Sequence, residues 1–436
     1  MALGGGTFVT QNKKLPGSYI NFVSAAKASA TLSERGYATM PLELDWGVEN
    51  AVFEVTNGDF QKNSMKIFGY AYTDDHLKGL RDLFLNAKTL YAYRLNGGGV
   101  KAANDFATAR YGGTRGNDLK IRIQANADDT SAFDVVTLLG TTIVDEQTVK
   151  KATDLKANDY VTFKTGATLK ATAATPLTGG TNAAAVDGSA HQKYLDKIES
   201  YTYNTMGVVT TEETIKTLYT SFCKRLRDEM GVKFQLCIYR KAADFMGTIN
   251  VKNKVLDDGA NEASLIYWAT GVSAGCAVNK SNQNKKYDGE FTIDTDFTQS
   301  QLESCLDAGE WVLHQVGSDV RVLEDINSMV TVSDTCGDVF KDNQTVRVCD
   351  QIANDIAVIF NTRYMGTVPN DNAGRLSLWA DIVKHHQQLN DIRALENFSD
   401  TDVTVAQGDS KKSVVVTDAV TVVNAMDKLY MTVTVA

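Results

Sequence analysis

The sequence predicts a multidomain protein of mixed α/β and α+β class, and three observations carry that expectation. The chain has 436 residues and is 43% hydrophobic, more than one core usually organises. Between about Val100 and Ala185, short β-branched runs replace the mixed helix and strand patterns found on either side. A sharply alternating run, Lys428 to Val435, has no hairpin partner beside it.

Taken in order, the polar, glycine-rich Met1 to Gly6 leads to Leu15-Pro16-Gly17, after which Tyr19, Asn21 and Val23 alternate with Ile20 and Phe22. That alternation predicts a short strand over Ser18 to Val23. Ser24 to Arg35 carries no apolar stripe, so the strand is expected on an N-terminal arm, residues 1–35. In 36–100, strands are predicted at Ala38 to Trp46, Ala51 to Val55 and Thr89 to Leu95. A helix starts near Asp74, with Leu77, Leu80, Leu83 and Phe84 on one face. The triple glycine Gly97 to Gly99 closes this segment. Strands at Leu119 to Gln124, Phe133 to Leu139 and Tyr160 to Phe163 mark a β-rich segment, 101–185, whose far edge, Thr178 to Asn182, reads as a linker.

The segment 186–398 opens with a strand at Met206 to Val209, followed by Thr210 and Glu213 at capping-box spacing. The helix they introduce carries Ile215, Leu218, Tyr219, Phe222, Leu226 and Met230 on one face and stops at Gly231, and a buried strand follows at Val232 to Tyr239. This β-α-β order predicts parallel pairing. Ala263 to Val278 is apolar but shorter than the roughly 20 residues of a membrane span, and its Gly271, Ala274 and Gly275 suit a buried helix packed closely on its neighbours. A capped helix at Thr298 to Ala308 comes next, then strands at Trp311 to Val316 and Val320 to Leu323 around Gly317-Ser318. Helices are expected at Thr345 to Tyr364 and Arg375 to Glu396. The last segment, 399–436, is polar at Ser399 to Thr404 and Gln407 to Ser413 and ends in two strand-like runs. In the second, Leu429, Met431, Val433 and Val435 lie opposite Tyr430, Thr432 and Thr434.

Composition excludes several functions. The net charge of −9 is spread along the chain without a basic stripe, which argues against nucleic acid as a partner. The N-terminus lacks the basic and apolar regions of a secretory signal, so the protein is expected to be made and kept in a cytoplasm unless a dedicated machine or cell lysis releases it. No membrane insertion is expected. The six cysteines form no C-x-x-C pair and are expected to be reduced, mostly buried small hydrophobes.

A catalytic or metal-binding site would show as fixed spacings among the polar residues. None of the five histidines, His76, His191, His314, His385 and His386, stands in a metal spacing, and the mid-helix pair His385-His386 is expected on a solvated or subunit-facing surface. The glycines of Tyr111 to Asn117 lead into a strand without a Gly-Lys-Ser/Thr, so they predict an ordered loop and not a phosphate cradle. Asp74-Asp75, Asp128-Asp129 and Asp257-Asp258 sit where capping or solvation accounts for them. No cofactor, metal site or catalytic residue is expected.

Six segments in sequence order resemble the contractile tail sheath family of phages and phage-tail-like bacteriocins, in particular its Gram-positive branch. They are PGSYINF (Pro16 to Phe22), ARYGGTRGNDLKIRI (Ala109 to Ile123), PLTGGTN (Pro176 to Asn182), YNTMGVV (Tyr203 to Val209), ADIVKHHQQLNDIRALENF (Ala380 to Phe398) and MDKLYMTVTV (Met426 to Val435). The resemblance implies an inner α/β domain built from both sides of an inserted β-rich domain, and strand-exchanging terminal arms. It implies a structural subunit that polymerises around a tail tube and contracts to drive it through a cell envelope. The implied partners are other copies in a helical homo-oligomer, the tail tube protein, and baseplate and tail terminator proteins. The implied location is a virion or phage-tail-like particle assembled in a bacterial cytoplasm.

Within that frame, Tyr19, Ile20, Phe22 and Val23 and Leu429, Met431, Val433 and Val435 are the expected linking residues. The helix from Arg375 to Glu396 is expected to contribute to contact with the tube, anchored by Leu376, Trp379, Val383 and Leu389 and offering Lys384, His385 and Arg393; the alternative reading is an ordinary solvated helix face. The competing readings are another self-assembling shell or surface-layer protein, and a nucleotide-binding α/β enzyme. The enzyme would need a glycine-rich turn after a strand, where Met206-Gly207-Val208 supplies a single glycine.

Overall fold

The computed structural model describes residues 32–183 and 185–435. Two compact units divide the chain: one holds Ile352–Thr421 with Ser33, the other Glu34–Gln351 with the segment from Val422 onward.

The second unit is built on a seven-stranded sheet. Its first strands are β1 (Tyr37–Leu42), β2 (Val52–Thr56) and β3 (Thr89–Arg94), with α1 (Asn57–Phe68) and α2 (Lys78–Phe84) between β2 and β3. β1 and β3 pair in parallel, and β2 is an antiparallel edge. Helix α1 has no counterpart in the expected elements because Gly58, Asn63 and Ser64 break its apolar stripe. Its start is nonetheless marked by Thr56, whose hydroxyl accepts from the Asp59 N–H at 3.1 Å.

After β3 the chain leaves the sheet for an antiparallel domain. This contains β4 (Ala107–Ala109), β5 (Leu119–Ala125), β6 (Phe133–Leu139), β7 (Thr142–Val149), β8 (Val161–Phe163) and β9 (Thr172–Pro176), arranged as a β7-β6-β5-β9 sheet and a β4-β8 pair. Ile121, Ile123, Val135, Val161 and Leu177 fill its core.

The glycine-rich motifs meet where the chain departs and returns. Arg94, at the end of β3 and fully buried, donates to the Gly112 carbonyl at 2.7 Å and to Asn182 Oδ1 at 3.1 Å. Asn182 in turn donates to Asp45 Oδ1 at 2.6 Å. Gly113 has φ +135°, and a Cβ there would lie 2.0 Å from the Asp45 carbonyl oxygen, so only glycine fits. The Tyr111 to Asn117 run is thus an ordered junction ahead of β5.

The returning chain forms α3 (Gly188–Ile198), β10 (Thr205–Val208), α4 (Glu213–Asp228), β11 (Gln235–Tyr239) and β12 (Thr248–Val251), then α5 (Leu265–Gly275), α6 (Gln299–Asp307) and β13 (Glu310–Trp311). The full order is β13-β12-β11-β10-β1-β3-β2, parallel from β13 through β3. β11 shows why both faces must be covered. Its Leu236 and Ile238 pack with Tyr219, Phe222 and Leu226 of α4, whereas Cys237 and Tyr239 join the core around α5.

Helix α5 is buried on nearly every side, as its composition predicts. Gly207 lies inside β10 and faces it. A Cβ at Gly207 would come 2.1 Å from Thr270 Oγ1, so this glycine serves helix packing and not a phosphate turn. The expected capping box at Thr210 and Glu213 does not form. Thr210 Oγ1 accepts from the Glu212 N–H, and Glu213 pairs with Lys216 at 2.6 Å and Lys241 at 3.2 Å. Met230, expected on the buried face of α4, is 53% exposed because the helix ends at Asp228. A hairpin, β14 (Leu313–Val316) and β15 (Asp319–Val322), precedes α7 (Asn343–Ile359).

In the other unit, a π-helical turn at Phe360–Tyr364 leads to α8 (Asn372–Asp391), the two-residue β16 (Leu395–Glu396) and a hairpin of β17 (Val403–Gln407) and β18 (Val414–Asp418). Ile359, Tyr364, Leu378, Ile382 and Val403 form its core.

Candidate assembly site

An assembly site in a structural subunit is a surface whose groups find no partner within their own chain. Among the described residues, the C-terminal segment fits that description only in its last part. Residues 423–428 are tied down. Gln344 Nε2 donates to the Val423 carbonyl at 2.9 Å, and the Ala425 N–H donates to Gln344 Oε1 at 3.0 Å. Asn424 Nδ2 donates to Thr345 Oγ1 at 3.1 Å, Gln283 donates to the Asp427 carboxylate, and Lys428 lies 3.8 Å from Glu324.

From Leu429 the restraint ends. Leu429, Met431, Val433 and Val435 are 85%, 74%, 69% and 90% exposed, and Tyr430 on the opposite side is 89% exposed. The strand expected over Lys428 to Val435 is absent. A strand with no ladder partner leaves its N–H and C=O groups to water and gains nothing from the pleat. Tyr19, Ile20, Phe22 and Val23 lie outside the described residues.

The second expected surface, on α8, needs correction. Lys384 and Arg393 are exposed, Arg393 standing in the left-handed position (φ 60°) just past the helix end. His385 and His386 are fully buried and not solvated. His385 Nε2 lies 2.9 Å from Asp355 Oδ2, His386 Nε2 lies 2.7 Å from Asp418 Oδ2, and the two Nδ1 atoms face each other at 3.2 Å. His385 therefore has no surface to offer a partner. Of the expected anchors, Leu389 is fully buried and Trp379 and Val383 are partly buried against the core, but Leu376 is 63% exposed, and Leu378 and Ile382 are buried in its place. The helix begins earlier than expected, at Asn372, because Asp371 caps it through the Gly374 N–H at 2.8 Å.

Beside α8 the hairpin β17–β18 is held by Trp379 Nε1, which donates to the Val403 carbonyl at 2.9 Å. It exposes Val415 and Val416, and among the described residues each strand has only the other as its ladder partner. β17 overlaps the ends of the polar stretches Ser399 to Thr404 and Gln407 to Ser413, and the alternation of Val403 and Val405 with Thr404 and Ala406 is the sequence signal that marks it.

The remaining polar clusters are occupied structurally. Asp74 caps the turn at Asp75–Leu77, and His76 stacks on Tyr70 with ring centres 4.1 Å apart. A cleft of about 650 Å³ is lined by Glu43, Asp75, Lys78, Asp257 and Tyr267. Burial pushes the Asp257 carboxyl up, but Lys78 at 2.6 Å and the Thr292 N–H outweigh it and hold it below the usual range. Among the described residues no three His, Cys, Asp or Glu side chains converge as metal ligands, and no helix is long and apolar enough to cross a membrane. All six cysteines are free, with Cys223, Cys237, Cys276 and Cys305 buried. Burial pushes the Cys223 thiol up to about 12, which makes it unreactive.

Four family models match the chain in order. These are the tail sheath protein Gp18 domain III N-terminal region over residues 35–95, the phage tail sheath protein beta-sandwich domain over 97–182, the phage tail sheath protein central domain over 184–328 and the phage tail sheath C-terminal domain over 336–436. The phage-like element PBSX protein XkdK of Bacillus subtilis strain 168 is 33% identical over 99% of this chain and 100% of its own. The crystal structure of the sheath tail protein from Desulfitobacterium hafniense superposes with a TM-score of 0.78 at 36% identity, covering 90% of this chain and 93% of that one. The helical sheath of the anti-feeding prophage in its contracted state shares the fold, with a TM-score of 0.56 at 12% identity over 97% of this chain and 99% of that one.

Proposed function

Because the chain belongs to the phage tail sheath family, we propose that it polymerises as a helical homo-oligomer around a tail tube and shortens to drive that tube through a cell envelope. It is a structural subunit of a contractile sheath and not an enzyme. The work of contraction comes from the difference between two sets of subunit contacts, so no nucleotide or cofactor enters. Its partners are neighbouring copies, the tube protein, and the baseplate and tail terminator proteins at the ends. Assembly takes place in the host bacterial cytoplasm, and the product is a virion tail or a phage-tail-like particle. Residues 36–100 and 186–398 make up the inner part, 101–185 the inserted domain, and 1–35 and 399–436 the segments that link copies.

The observation that supports linkage best is the exposed run from Leu429 to Val435. Ordering about six residues costs roughly 1–2 kcal/mol each in backbone freedom, while a net hydrogen bond returns about 0.5–1.5 kcal/mol. Ladder bonds alone are near break-even. Burial of Leu429, Met431, Val433 and Val435 on a neighbour must supply the rest, and the open edges of β17–β18 offer such a place. Tyr19, Ile20, Phe22 and Val23 serve the same purpose at the other end. Lys384 and Arg393 on and beside α8 face acidic residues of the tube.

Electron microscopy of the purified chain, alone and with its tube protein, tests this reading. Helical tubes are expected. Flat sheets would favour a surface-layer or shell protein, and monodisperse particles under all conditions would contradict polymerisation.

A further inference from the structure

We infer that Gln344 is a positioning residue for assembly: its side-chain amide acts as a one-residue strand that fixes the direction in which the C-terminal segment leaves the subunit. This inference rests on the reading of that segment as an intersubunit link. Gln344 is the second residue of α7 and is 2% exposed. A buried primary amide must find partners for both its N–H and its C=O or incur their desolvation. Here both partners are backbone groups of the departing segment. The amide donates to the Val423 carbonyl at 2.9 Å and accepts from the Ala425 N–H at 3.0 Å. Bonds to the C=O of one residue and the N–H two residues on are the pair that a residue of a parallel strand makes across a ladder.

The bonds therefore straddle Asn424, whose own side chain is held by Thr345, itself 2% exposed. The clamp lies on the first turn of a 17-residue helix, while Met426 is fully exposed and Leu429, Met431, Val433 and Val435 are exposed as well. The segment is thus a short fixed root carrying an exposed blade. Fixing the root limits the directions the blade can sample and lowers the entropy lost when a neighbour captures it. An unclamped root would leave the same blade sequence present but seldom aimed.

The test uses the full-length chain with Gln344→Met, which keeps the volume but loses both bonds, and Gln344→Glu, which keeps only the acceptor. Ala425→Pro removes the N–H from the segment's side at an exposed position, and so serves even if the helix variants fold poorly. Deletion of residues 429–436 is the control. In the isolated subunit, Gln344→Met should leave the melting midpoint unchanged while amide exchange around Ala425 rises about ten-fold or more. Tube formation should slow by about ten-fold, with Gln344→Glu intermediate and Ala425→Pro matching Gln344→Met. Loss of tubes in the deletion together with normal tubes in Gln344→Met and Ala425→Pro would overturn the role of Gln344 and leave the linking role intact. Normal tubes from the deletion itself would overturn both.

Discussion

His385 and His386 are adjacent on α8, yet both are buried, and they face each other Nδ1 to Nδ1 at 3.2 Å while their Nε2 atoms reach two different carboxylates, Asp355 and Asp418. Consecutive helical side chains diverge by about 100°, so burying both requires packing on two sides. Asp355 lies on α7 and Asp418 at the end of β18. The pair thus ties the hairpin to the helices of its unit, which explains why a solvated reading of these residues fails.

His385→Ala is accordingly expected to cost about 2–4 kcal/mol, from an opened cavity and a buried carboxylate deprived of a donor. His386→Ala should cost about 1–3 kcal/mol, since Asp418 is partly exposed. The double variant should cost less than the sum, because the two rings share one contact. Urea denaturation of the four proteins checks this, and strict additivity would contradict a coupled pair.

Asp82 on α2 gives a pH dependence of defined sign. Burial raises its carboxyl from 3.8 to about 6, against the Tyr287 hydroxyl at 2.6 Å and the Glu290 N–H at 2.8 Å, which pull it down. The folded state therefore binds this proton more tightly than the unfolded chain. Its contribution is fully present below about 3.8 and is lost as pH rises through about 6, on the order of 3 kcal/mol in total. Asp45, Asp74 and Asp257 are held below the usual range and act in the opposite direction, at lower pH. Burial holds His191 down at about 4, which opposes Asp82 over the same range, so the Asp82 effect is read as a difference: the stability of Asp82→Asn relative to the wild type should rise with pH between 5 and 7. A variant with the wild-type slope between pH 7 and 5 would contradict the assignment.

The junction glycine Gly113 should tolerate no side chain. With φ +135° and the Asp45 carbonyl oxygen 2.0 Å from the Cβ position, Gly113→Ala is expected to lose at least about 3 kcal/mol. Gly140, with positive φ but open space around it, should lose only about 1 kcal/mol on the same change. Parallel thermal or urea melts compare the two.

Much of the architecture was legible. The β-α-β period around α4, the apolar α5 and the strands β3, β5, β6 and β11 follow directly from periodicity, because burial on one face or both writes itself into the sequence. Helix α1 was not legible, since its stripe is interrupted and only the Thr56–Asp59 cap announces it. The cap at Thr210 misled because spacing alone does not say which N–H the hydroxyl receives. On the candidate site, the exposed pattern of Leu429 to Val435 was readable, but its clamp was not. Gln344 lies 79 residues from Val423, and nothing local links them. His385 was misjudged for the same reason: its partner Asp355 lies 30 residues away on another helix.

Charge reversal tests the tube-facing role. Lys384→Glu combined with Arg393→Glu should leave the fold and self-assembly intact, because both side chains are exposed. Co-assembly with the tube protein should weaken and become less salt-dependent. Undiminished co-assembly in a pull-down across a salt series would remove α8 from the tube interface.

The most direct measurement of the central claim is a helical reconstruction by cryo-electron microscopy of tubes grown from the full-length chain, at a resolution that traces residues 423–435. The expected density shows Val423 to Ala425 still held by Gln344 of their own subunit, and Leu429 to Val435 as a strand on the sheet of a neighbouring copy, with Leu429, Met431, Val433 and Val435 buried. Well-ordered tubes in which Leu429 to Val435 remain disordered, or fold back on their own subunit, would contradict the account.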